Sequence, residues 1–328
     1  MRTSGTPAIA ALAAVLAVTP GAAQTPQTPP QQPTFRSRVD LVVLDVRVLD
    51  QRGAPVTTLT PSDFEVTVEG RAREVVSVEY QQAGHAFSGE VIPDELRAAS
   101  QKSSVLLVVD RDNLRTDTSR TMLDGAAAFV ERLPPSHDVS LLVLPERGRP
   151  SEMGAGRAAV AGQLRRMLGQ HNPRNPFPVD EEGIRASLHG VIGRMTARDG
   201  RRTVVYLTDR FLPSMSVLDL SRRAALSGVV FYVVTADAPV ITAESRSSPG
   251  PGNEIRDGLA GLAVSSGGTL LRQIAGADGM FDRLALELSG QYLLSFAADP
   301  AADTGLQGIR VRVKRPGLDV HARREFVR

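Results

Sequence analysis

The hydrophobic pattern changes character twice along the chain. Between residues 38 and 49, apolar positions first alternate and then run together (Val39, Leu41, Val43, Leu44, Val46, Val48), which predicts a strand. Asp50-Gln51-Arg52-Gly53 follows as a turn, with glycine where a positive φ carries no steric penalty. Leu59 to Phe64 reads as one helical turn with Thr60 at the N-cap and Pro61 at the first helical position. Glu65–Val68 and Glu74–Val78 predict two strands paired around Glu69-Gly70. Residues 36–84 therefore form a small β unit, and 85–103 form a mixed, polar connector.

From residue 104 to 289 strands alternate with helical periods, the mark of βαβ units and a parallel sheet. Ser104–Asp110, Val139–Leu144, Thr203–Leu207 and Gly228–Val234 are apolar runs of the kind buried on both faces, and Thr269–Leu271 is a shorter strand. Helices are predicted over 117–132, 157–168, 183–195, 217–226, 255–265 and 278–288. Pro134-Pro135 stops the first, and Gly267-Gly268 caps the fifth. Residues 170–180 and 239–254, rich in turn-forming residues, read as loops. After residue 290 the pattern returns to alternation, at Gln291–Phe296, Ile309–Val313 and Leu318–Ala322. Tyr292 and Phe296 fall on apolar positions and are expected in a core. Since the ends of a compact unit often lie close together, 36–84 and 290–328 are expected to share one small β-sandwich with the α/β segment inserted between them.

Composition changes the picture at the amino end. Arg2, the apolar run Ala8–Val18 and Gly21-Ala22-Ala23 have the form of a signal peptide over residues 1–23, with cleavage before Gln24. The run is short for a membrane span, so after cleavage no membrane insertion is expected. The reading is an exported protein, periplasmic or secreted. Residues 24–35 form a Pro/Gln-rich linker, of which 24–34 lack apolar side chains to bury. The chain has no cysteine, which excludes disulfides and cysteine-based zinc sites. Net charge is +2, from 38 basic and 36 acidic residues that are interspersed, so no nucleic acid is implied as a partner. Aromatic residues are only 4%, too few for stacking on single strands.

Several segments together carry a resemblance. They are Leu41–Leu49 with Asp50-Gln51-Arg52-Gly53, Leu59-Thr60-Pro61-Ser62-Asp63-Phe64, Val105–Asp110, Leu133–Val139, Arg201–Asp209, Leu259–Ala263 before Gly267-Gly268, and Gln291–Phe296. In this order they resemble the von Willebrand factor A (vWA) domain, and within it the VWFA-related family described from acidobacteria. The resemblance implies a doubly wound, mostly parallel sheet with helices on both faces. It also implies a protein partner.

Many vWA domains hold a metal-ion-dependent adhesion site, built from Asp-x-Ser-x-Ser after the first strand, a threonine from a second loop and an aspartate after the fourth strand. Here Asp110 matches the first aspartate and Asp209 the last. Asp112 stands at the first serine position and can still ligate. Leu114 stands at the second and cannot. No threonine is evident in the middle loop, although Asp180, Glu181 and Glu182 fall near its place. The resemblance thus implies at most a weak, degenerate Mg²⁺ site on Asp110, Asp112 and Asp209, since Mg²⁺ requires an octahedron of oxygens. The competing role for these aspartates is helix capping, and Thr116, Asp117, Thr118 and Ser119 are expected to cap the helix that follows.

An enzyme reading rests on the same residues. Asp110-Arg111-Asp112 resembles the Asp-x-Asp of haloacid-dehalogenase-type phosphatases, a Mg-dependent hydrolase chemistry in which one aspartate attacks phosphorus and the other moves the proton. That chemistry needs a lysine near the phosphate, and the only lysines, Lys102 and Lys314, lie outside the α/β segment. His85, His137, His171, His189 and His321 show no ligand spacing, and His137 reads as a loop residue. No nucleophile elbow or phosphate-binding loop is present. The sequence therefore reads as a non-catalytic protein-binding module. Its recognition surface is expected near residues 111–118, 170–183 and 210–216.

Overall fold

The computed structural model describes residues 41–82, 85–86, 102–146, 156–171, 180–209, 214–236, 251–273 and 278–327. The expected signal segment, the linker and most of the connector lie outside them.

Five strands form a parallel sheet: β6 (Ser103–Asp110), β7 (His137–Leu144), β8 (Arg201–Leu207), β9 (Val229–Ala236) and β10 (Leu270–Gln273). Their order is β10-β9-β8-β6-β7. Six helices cover both faces: α1 (Thr116–Arg132), α2 (Arg157–Arg166), α3 (Glu181–Thr196), α4 (Ser214–Leu226), α5 (Pro251–Ser266) and α6 (Asp278–Ser289). The two-residue period of β6 explains how one strand serves both layers. Val105, Leu107 and Val109 pack with α1, α2 and α6, whereas Leu106 and Val108 pack with α3, α4 and α5. All five are fully buried, so the continuous apolar run is required by burial on both sides. From β6 the chain winds outward to β7, then crosses back to β8 on the other side of β6. The order therefore reverses between β6 and β8, which opens a crevice at their carboxyl ends.

The remaining strands are β1 (Leu41–Leu49), β2 (Phe64–Val68), β3 (Arg71–Arg73), β4 (Val75–Gln82), β5 (His85–Ala86), β11 (Gly290–Ala297), β12 (Leu306–Val313), β13 (Asp319–Ala322) and β14 (Glu325–Val327). They make two antiparallel sheets, ordered β13-β1-β11-β4-β5 and β14-β12-β2-β3. Strands from both ends of the sequence interleave in each sheet. β1 pairs with β11 in the register Leu44↔Leu294, and β2 pairs with β12 in the register Val66↔Val311. The fold class expected from the sequence, an α/β segment inserted between flanking strands of a sandwich, is the one observed.

The sandwich core holds Leu44, Val46, Phe64, Val66, Tyr292, Leu294 and Phe296. Tyr292 packs edge-on against Phe64 and Tyr80, with ring centroids 5.4 and 5.1 Å away. Its hydroxyl donates to the Val56 carbonyl at 2.7 Å and accepts from the Leu59 amide at 3.0 Å, so the buried phenol is satisfied. Asp63 accepts from the Thr60 amide and hydroxyl at the 3₁₀ turn Pro61–Asp63, the expected helical turn. One pairing differs from expectation. The Glu69-Gly70 turn joins β2 to β3, while β4 leaves for the other sheet and pairs with β11.

The face of the β1–β11–β4 sheet turned away from this core is polar yet buried. Arg47, Glu79, Gln81 and Gln291 are each no more than 7% exposed. They lie beneath the amino ends of the parallel strands. Arg201 donates to Gln81 at 2.9 Å, and Arg47 donates to the Gly267 carbonyl at 3.3 Å. Glu287, fully buried, takes Arg283 and His321 as partners. Burial lowers the Arg201 guanidinium to about 10. His137 is the first residue of β7 rather than a loop residue, and it is 5% exposed. Burial, with Arg201 and Arg157 nearby, lowers its imidazole from 6.5 to about 4.

Two outcomes follow. Because β11 lies between β1 and β4 and bonds to both, a chain ending at residue 289 should lose amide protection throughout β1, β2 and β4. Hydrogen exchange is the measurement, and full protection of those strands would disprove the shared core. His137 is neutral in the fold at neutral pH and must charge at low pH. Its contribution is complete above the unfolded value of 6.5 and is lost as pH falls toward about 4. Relative to His137→Gln, the wild-type chain should therefore lose on the order of 3 kcal/mol between pH 7 and pH 4. Denaturant titration at both pH values reads this difference.

Candidate functional site

Asp110 closes β6, next to β8 at the reversal of strand order. It is 1% exposed, and an ionised carboxylate there needs donors. The sequence leads one to expect backbone amides of residues 112–116 or Thr208 as donors; Thr208 is one of them, and the side chains of Asn113 and Tyr206 join it. Asn113 Nδ2 lies 2.9 Å from Oδ1 and 3.0 Å from Oδ2. The Tyr206 hydroxyl donates to Oδ2 at 2.8 Å and the Thr208 hydroxyl at 3.1 Å. Burial raises the Asp110 carboxyl above its ordinary value, and these donors oppose the rise. Burial and the neighbouring Asp110 push the Tyr206 phenol up strongly, so it stays a donor.

Asp209 sits one residue beyond Thr208 and serves a different element. Its Oδ2 accepts from the Arg115 amide at 2.8 Å and from the Thr118 hydroxyl at 3.3 Å, and its Oδ1 accepts from the Ala236 amide at 2.8 Å. It thereby satisfies the amino end of α1, whose N-cap residue, Arg115, makes no side-chain cap of its own. This corrects the expectation that Thr116 to Ser119 cap that helix. Thr116 donates instead to the Gly169 and His171 carbonyls, Ser119 accepts from the Gly169 amide, and Asp117 pairs with Arg115.

These bonds seat residues 168–171 against the turn after β6. The Gln170 amide donates to the Arg111 carbonyl at 2.8 Å, and the His171 amide to the Leu114 carbonyl at 3.0 Å. A Cβ on Gly169 would stand 2.2 Å from the Leu114 carbonyl oxygen, so only glycine permits the approach. Beside this wall lies a cleft of about 730 Å³. Asp110, Asp112, Glu146 and Asp180 face it, together with Asn113, Gln170 and His171. Glu146 is paired with Arg194, and Asp180 caps α3 through the Gly183 amide at 2.8 Å. Residues 172–179 and 210–213, expected at this surface, lie outside the described residues.

The donor set does not fit a resident Mg²⁺. Among the described residues, no three carboxylate or imidazole side chains converge as ligands. Asp110, Asp112 and Asp209, expected to share an ion, are divided between tasks. The oxygens of Asp110 face Asn113, Tyr206 and Thr208, and those of Asp209 hold backbone amides. Asp112 lies beside Gln170, whose amide nitrogen, in the orientation that satisfies both groups, is 3.0 Å from Oδ1. Leu114, where the resemblance would place a serine ligand, is fully buried in the α1-side core. Sequence reasoning missed Asn113 and Tyr206. The available signal was the turn spacing of Asn113, three residues after a buried aspartate.

Asp110→Ala should cost about 1–3 kcal/mol, because it leaves the buried Tyr206 and Thr208 hydroxyls and the Asn113 amide without their acceptor. Asp110→Asn retains one acceptor oxygen and should cost less. Denaturant midpoints at constant pH compare the two, and equal losses would contradict the donor assignment.

No family model matches the chain, and no curated protein matches it. Solved structures that it resembles include an aerotolerance-related membrane protein from Bacteroides fragilis, at 12% identity over 57% of this chain and 98% of that one, with a TM-score of 0.42. BatB from Bacteroides thetaiotaomicron is similar at 14% identity over 57% and 97%, with a TM-score of 0.40. A manganese-loaded TRAP protein from Plasmodium vivax is similar at 11% identity over 77% and 99%, with a TM-score of 0.39.

Proposed function

We propose that this chain is an exported, non-catalytic protein-interaction module of vWA-like build, with a degenerate adhesion site that works without a metal ion. The α/β segment, residues 104–289, is the recognition domain. Residues 36–84 and 290–328 form the sandwich that carries it. The observation that supports this reading most directly is the Asp110 carboxylate, placed at the crevice of an open α/β sheet and already surrounded by protein donors. In a metal-dependent site the cation holds such a carboxylate and leaves a position for the partner. Here Asn113, Tyr206 and Thr208 take the cation's place. The partner then meets a surface of fixed hydrogen bonds, formed by the turn at 111–115, the segment 168–171 and the start of α3.

The same geometry weighs against a phosphatase. A nucleophilic Asp110 needs an exposed oxygen, and this residue is 1% exposed. Lys102 precedes β6, so it lies at the opposite end of an eight-residue strand, about 25 Å from Asp110. Among the described residues no helix is long and apolar enough to cross a membrane.

Calorimetric titration of the full chain with Mg²⁺ and Mn²⁺ should give no micromolar binding. Capture of a partner from native envelope or culture medium should survive chelation and should be lost in Asp112→Arg with the melting temperature unchanged. A micromolar Mg²⁺ dissociation constant that disappears in Asp110→Ala would sink the metal-free reading. Phosphate-ester hydrolysis dependent on Asp110 and Asp112 would sink the non-catalytic one.

A further inference from the structure

The sandwich has an open seam away from the Asp110 crevice. β12 is covered on one edge by β2 over Ile309–Val313, whereas on the other edge β14 reaches only Leu306–Gly308. The Glu69 amide donates to the Gly308 carbonyl, so the backbone groups of 308, 310 and 312 point toward β2. Those of 309, 311 and 313 point the other way. The Ile309 amide finds the Arg324 carbonyl at 2.8 Å. Beyond it, among the described residues, no strand pairs with the edge presented by Val311 and Val313. A cleft of about 820 Å³ crosses the outer face of β12 from Thr67 and Glu69 on the β2 side to this edge, where it reaches Val320 and Ala322 of β13 in the other sheet.

Arginines outnumber carboxylates around the seam, where Glu69 is engaged by the Gly308 amide and Glu65 lies across from Arg312. Arg310 and Arg312 stand exposed on the outer face of β12, and Arg324 stands exposed beside them. None of the three makes a side-chain hydrogen bond or ion pair with a described residue. Arg310 and Arg312 are two residues apart on a strand, so their side chains lie on one face about 7 Å apart. A second strand laid on this edge would place every other side chain opposite them. Its intervening side chains would turn toward Val311, Val320 and Ala322.

We infer that this seam binds an extended acidic segment of a partner protein by strand addition to β12. Backbone groups at Val311 and Val313 supply the pairing, and Arg310, Arg312 and Arg324 select alternating carboxylates. A second copy of the chain fits poorly, because edge-to-edge pairing would set arginine opposite arginine. Residues 24–38 of the chain itself carry Arg36 and Arg38 and no carboxylate, so they lack the complementary charge. Charged residues on an edge also discourage aggregation, but that role does not require a cleft running from the outer face into the apolar interior.

The test is fluorescence anisotropy of a labelled (Glu-Val)₄ peptide titrated with the full chain. Saturable binding is expected, weakening about tenfold or more between low and moderate salt and by a similar factor in Arg310→Glu/Arg312→Glu. A peptide N-methylated at alternate residues and a (Lys-Val)₄ peptide should both fail to bind. Arg324→Glu provides a second variant should the double one melt early. Absence of binding to the folded wild-type chain overturns the inference. So does equal binding of the N-methylated or basic peptide, or binding indifferent to charge reversal. Asp112→Arg should leave this binding unchanged, which separates the seam from the crevice.

Discussion

Everything in this molecule hangs on β11. It lies between β1 and β4, two strands from the opposite end of the sequence, and it is paired with both along most of its length. The whole α/β segment is thus a loop closed by one strand. The entropy of closing such a loop grows only logarithmically with its length, so a long insertion adds little to the cost of closure. What holds the closure is apolar burial around Tyr292, Leu294 and Phe296. Tyr292 adds specificity, since its hydroxyl is held between Val56 and Leu59 and fixes the crossing from β1 toward β2.

The crevice shows how one buried carboxylate can be stabilised in two ways. A cation would cancel the charge of Asp110 and demand oxygen ligands around it. Neutral donors lower the energy of the ionised form without fixing a coordination number, and they leave the residue inside a hydrogen-bond network. Asp209 is engaged in backbone capping, so the two aspartates do not act on one point. Leu114 then becomes intelligible as core, packed with α1 and closing the space below the turn.

Much of this was legible in the sequence, for identifiable reasons. The run Ser104–Asp110 names a two-faced strand because nothing else tolerates so many consecutive apolar residues before a carboxylate. The return of alternation at Gln291 announces the second half of the sandwich. Other features could not be read. The alternation in Gln291–Phe296 suggests one wet face, yet both faces are buried, because Arg47, Gln81 and Arg201 turn the polar face into an internal contact. The departure of β4 from β2 depends on β11, which lies more than 200 residues away in the chain. The hydroxyl of Tyr206 reaches Asp110 from the neighbouring strand, and adjacency of strands is a property of topology that periodicity does not encode.

The insertion topology also decides how the molecule carries tension. β4 and β11, on either side of the α/β segment in sequence, are neighbours in one sheet, and β1 bonds to β11 on its other edge. A pull entering β1 at Leu41 and leaving β11 at Ala297 acts on one end of the antiparallel β1–β11 ladder, since these two residues face each other, and so opens its rungs one by one. The parallel sheet lies outside that line of force. The crevice at Asp110 would keep its shape while the sandwich bears the strain, much as a hook keeps its curve while its shank takes the weight.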